Sequence, residues 1–138
     1  ASEIAMSSDI PMLLMSGADK GGIESAAVDL VAHANMLEKL GVTVEAILLN
    51  KVYNQNIFEN VVPYIKNNTK VKNVLNVSKL KIEGRGFTPE VEIRYDLFSK
   101  YALECVEENI DINTIASMAK NVNFNRIIPF KEIKNKVI

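Results

Sequence analysis

Between an apolar run ending at Met15 and a helical pattern beginning at Ile23 lies Ser16-Gly17-Ala18-Asp19-Lys20-Gly21-Gly22, with Ser25 a few residues on. A glycine loop that opens a helix suits an anion. The unpaired N–H groups and the positive end of the helix dipole attract it, and glycines let the backbone approach it closely. Lys20, Gly21, Gly22 and Ser25 are therefore candidate ligand-binding residues. A working phosphate loop, however, reads G-x-x-x-x-G-K-[ST], with the lysine on the outer phosphates and the hydroxyl on magnesium. Here Gly22 is followed by Ile23 and Glu24, and that carboxylate would repel phosphate where a lysine should attract it. A glycine turn for close packing of strand on helix is the alternative reading.

A second stretch with chemical potential is Glu83-Gly84-Arg85-Gly86-Phe87-Thr88-Pro89-Glu90-Val91-Glu92-Ile93-Arg94. Arg85 stands between two glycines, and a guanidinium can grip a carboxylate or phosphate with two hydrogen bonds. Arg94 could converge on the same ligand; the alternative is a surface loop whose arginines pair with Glu83, Glu90 and Glu92. His33, the single histidine, has no serine or cysteine nucleophile at a recognisable spacing and reads as a surface or boundary residue. Cys105 reads as a small buried thiol and the five methionines as core. No Cys/His cluster has metal-ligand spacing, so metal binding is not expected.

The elements that must position these residues follow from apolar periodicity. Residues 10–15 form a continuous apolar run, the pattern of a strand buried on both faces of a parallel sheet. Ile23, Ala26, Ala27, Leu30, Val31, Ala34, Leu37 and Leu40 recur at helical spacing, and Gly41 closes that helix. Residues 42–49 read as a second buried strand, completing a βαβ unit. A short helix weakened by Pro63 covers Ile57 to Ile65, and residues 71–77 read as a third strand. Thr88 and Pro89 suit the start of a helix with the stripe Val91, Tyr95, Phe98, Ala102, Val106 and Ile110. Asp111 caps one more short helix with Ile112, Ile115 and Met118. The fold class expected is α/β: a three-layer sandwich with a mainly parallel sheet of three to four strands flanked by helices, P-loop-NTPase-like or Rossmann-like.

At 138 residues and 48% hydrophobic composition the chain suits one α/β domain with a core of its own. Sixteen basic against seventeen acidic residues leave a net charge of -1, which gives no electrostatic case for nucleic acid or an anionic membrane. A single cysteine excludes an internal disulfide, and no stretch approaches the about eighteen apolar residues of a membrane span. A cytoplasmic location is the expectation. The N-terminus has no basic region followed by an apolar core, so it does not read as a signal peptide.

Gly22-Ile23-Glu24-Ser25 and Ile47-Leu48-Leu49-Asn50-Lys51-Val52, with the strand, loop and helix between them, resemble the later half of the dethiobiotin synthetase and cobyrinic acid a,c-diamide synthetase group of P-loop enzymes. The similarity is clearest over residues 9–55. The resemblance implies that Asn50 and Lys51 lie near a nucleotide base; a turn asparagine with a locally bonded side chain is the other reading of Asn50. The family's Walker lysine and metal-binding acid precede the strand that begins here, and residues 1–9 do not replace them. The chain is then either part of a longer protein or a reduced relative that has lost hydrolysis. In a longer chain the resemblance implies an ATP-dependent ligase acting on a small acid, with ATP and Mg as cofactors. The expected function is a nucleotide- or phosphate-related domain whose partner is a small anionic ligand or nucleotide, not catalytic alone. The alternative is a non-catalytic regulatory or assembly module that docks on a partner or forms a homo-oligomer.

Overall fold

Three parallel strands, β1 (Met12–Gly17), β2 (Val44–Val52) and β3 (Asn73–Ser78), form a sheet in the order β1-β2-β3 in a computed structural model describing residues 2–80 and 95–120. The side chains of residues 95–98 are not described. A short helix α1 (Ser2–Ser8) leads into β1, α2 (Ile23–Lys39) links β1 to β2, and α3 (Gln55–Asn68) links β2 to β3. α4 (Tyr95–Asn109) and α5 (Ile112–Lys120) follow. The chain is thus the α/β protein its sequence leads one to expect, a parallel sheet flanked by helices, with three strands among the described residues.

Local chemistry accounts for the helix ends. Gly41, at φ 83°, reverses the chain after α2: its N–H donates to Glu38 O at 3.0 Å and the Val42 N–H to Leu37 O at 3.0 Å. That bonding satisfies carbonyls the helix leaves unpaired. Asn54 caps α3, its side chain accepting from the N–H groups of Asn56 and Ile57. Pro63 does not shorten α3, which runs through it for 14 residues. Both Pro63 and Glu59, whose carbonyl loses its donor, lie on the exposed side of the helix, where water can replace the missing bond. Asp111 starts α5 as expected, accepting from the Asn113 N–H and the Thr114 hydroxyl. α1 has no counterpart in the sequence reading, and the helix start at Thr88 and Pro89 lies outside the described residues.

The main core lies on one face of the sheet. α2 contributes Ile23, Ala26, Ala27, Leu30, Val31, Ala34 and Leu37 to it, the apolar face read from their spacing. α3 adds Phe58, Val61 and Ile65, and the strands add Ile47 and Leu49, with Met12, Leu14 and Val74 packed against them. Ala46 and Leu48, which alternate to the opposite face of β2, are buried outside that core, as are Cys105 of α4 and Met118 of α5. α4 packs along β3, where the Cys105 thiol donates to Ser78 O at 3.4 Å.

Two expectations need correction. β2 is buried on both faces, but β1 alternates between half-buried and exposed residues, with Leu13 36% and Met15 63% exposed. An apolar run records only the capacity to be buried; β1 is an outer strand, and no described helix covers that part of its second face. The methionines are likewise not all core: Met118 is buried and Met12 half-buried, whereas Met6, Met15 and Met36 are exposed. Their unbranched side chains suit surface and core alike.

Candidate ligand loop at the carboxyl ends of the strands

The β1–α2 loop and the end of β2 meet because the register sets Gly17 beside Asn50. The Ala18 N–H donates to Asn50 O at 2.8 Å, extending the pairing one residue into the loop. One step further, Lys51 Nζ reaches Asp19 Oδ2 at 2.9 Å. This ammonium hydrogen bond holds the Asp19 carboxyl below the usual carboxylate range, with the charges of Lys51 and Lys20 adding smaller pulls in the same direction.

Lys51 occupies the left-handed region at φ 59°, a conformation that costs a non-glycine residue about 1–2 kcal/mol. It sits where the pairing of β2 with β3 skips a residue, between Asn50 and Val52. Such a bulge re-aims one side chain out of the ladder. Two bonds fix the bulge: the Lys51 N–H donates to Asn50 Oδ1 at 2.9 Å, and its ammonium is held by Asp19. Asn50 therefore has a locally bonded side chain, although it lies within β2 and not in a turn, and Lys51 has an acidic partner.

At the entry to α2, Gly22 adopts φ 90° and ψ 165°, a region open essentially to glycine, and no side chain caps the helix there. A methyl group on Gly22 would stand 3.6 Å from both the Tyr53 hydroxyl and Glu24 Oε2, so these two groups flank the loop. The Ser25 hydroxyl lies beside Gly21, 3.3 Å from where its Cβ would be. Lys20 and Gly21 are exposed. The structure thus groups Lys20, Gly21, Gly22, Ser25, Asn50 and Lys51 at one end of the sheet. Arg85 and Arg94 lie outside the described residues.

Sequence reasoning missed three participants. Asp19 carries no signal beyond its place in the loop, and Tyr53 and Gln55, whose Oε1 accepts from the buried Asn76 at 2.8 Å, stand in a polar stretch, residues 50–56, that reads from sequence only as a loop. Each depends on a partner more than twenty residues away, which only the strand register brings near. His33 is exposed, with Nδ1 2.7 Å from Asp29 O on its own helix, and takes no part in the loop. Among the described residues no cluster of acidic, histidine or cysteine side chains could hold a metal ion, and no helix is long and apolar enough to cross a membrane.

In open α/β sheets, ligands collect beyond the carboxyl ends of the strands where the strand order reverses. The order β1-β2-β3 does not reverse, and α2 and α3 pack together on one face. The candidate loop therefore lies at the outer strand of the described sheet, beside β1. Comparison with known protein families, curated proteins and solved structures finds no match for the chain.

Proposed function

We propose that this chain is a nucleotide- or phosphate-binding α/β domain that holds an anion at the β1–α2 loop and does not hydrolyse ATP on its own. The observation that carries this reading is the entry into α2. A glycine at φ 90° leads from the carboxyl end of a parallel strand into a 17-residue helix that no side chain caps. First-turn amides and the helix dipole suit a phosphate group there, and the exposed Lys20 adds a cation next to the glycines.

Two neighbours limit the chemistry. Glu24 stands in the first turn, and the charge of Lys51 is already matched by Asp19. No described cation is thus committed to the charge that develops on a transferring phosphoryl group, the interaction on which such catalysis depends. Weak binding without turnover follows. On the resemblance to dethiobiotin and cobyrinate synthetases the ligand is ATP or a phosphorylated small acid, and in a longer chain Mg and a Walker lysine would complete an ATP-dependent ligase.

Calorimetry with ATP, ADP and inorganic phosphate tests the reading. Dissociation constants of about 0.1–1 mM are expected, weakened by Lys20→Ala, with ATPase no higher than a protein-free control. Failure of all three ligands to bind would remove the proposal, and robust hydrolysis lost in Lys20→Ala would make the loop catalytic.

A second reading, a non-catalytic regulatory or assembly module, is favoured by the exposure of Leu13 and Met15 on the outer strand. A stable oligomer by light scattering, together with no ligand binding, would select it.

A further inference from the structure

We draw no further inference here: the strongest candidate, the apolar surface patch that Leu13 and Met15 expose on the outer strand β1, already carries the second reading of function, and nothing in the structure shows what covers it.

Discussion

The two faces of the sheet are built from the same three strands in the same register, yet they are buried very differently. Toward α2 and α3, Ile47 and Leu49 are fully buried and Met12, Leu14 and Val74 close the core around them. On the other face Ala46 and Leu48 are equally buried at the centre, but their register partners on β1, Leu13 and Met15, are exposed. Strand composition does not explain this, because both faces of β1 are apolar. Helix placement does. Right-handed crossovers that step in one direction along a sheet deliver their helices to one side, and the order β1-β2-β3 takes two such steps. The second face depends on α4, which packs along β3 at the far edge from β1.

This contrast can be broken by substitution. The largest effect is expected at Leu49, fully buried between Ser16 and Asn76 of the neighbouring strands. Leu49→Ala should destabilise the fold by about 2–5 kcal/mol in urea unfolding, and a loss under about 1 kcal/mol would mean that the α2–α3 face is not the principal core. Asn76→Ala, on the same face, removes the buried amide that donates to Gln55. Its cost should be about 1 kcal/mol, because Gln55 is exposed and rehydrates. Met15→Ala should stay within about 0.5 kcal/mol of the parent at any protein concentration if its face meets only water. A larger loss, with a melting temperature that rises with protein concentration, would instead show that a second copy covers it.

The smallest expected effect concerns the loop. Lys51→Ala removes the ammonium hydrogen bond that lowers the Asp19 pKa, so that pKa should rise toward the ordinary carboxylate value in an NMR titration. The sign is fixed by linkage. A carboxyl whose folded pKa is depressed stabilises the fold above its unfolded pKa and loses that contribution as pH falls through the folded one, and Lys51→Ala should reduce this acid sensitivity, leaving the smaller pulls of a backbone hydrogen bond and Lys20. An unchanged Asp19 titration would mean that the ion pair does not persist in solution.

How far the sequence was legible depends on the range of the interactions involved. α2 could be read almost residue by residue, because its apolar spacing and the glycine that ends it are local signals. α1 could not, since seven residues with a single buried side chain, Ala5, leave no periodic pattern. The cap at Asn54 stands among polar residues, Asn54-Gln55-Asn56, with no apolar spacing to mark a helix start. In the candidate site, the glycines and Lys20 were legible as loop chemistry, whereas the Asp19–Lys51 pair joins residues 32 apart in the chain. Nothing in either segment marks the other.

The sequence by itself determined the alternation of strand and helix, the parallel pairing that βαβ connections impose, and the glycine-lined entry into α2, all consequences of local periodicity and backbone freedom. Tertiary structure decided which apolar faces are covered, that Lys51 is engaged by Asp19, and that Tyr53 stands against Gly22. The reason is physical: burial and ion pairing depend on which surfaces meet, and a residue's own neighbours in the chain do not specify the surface packed against it.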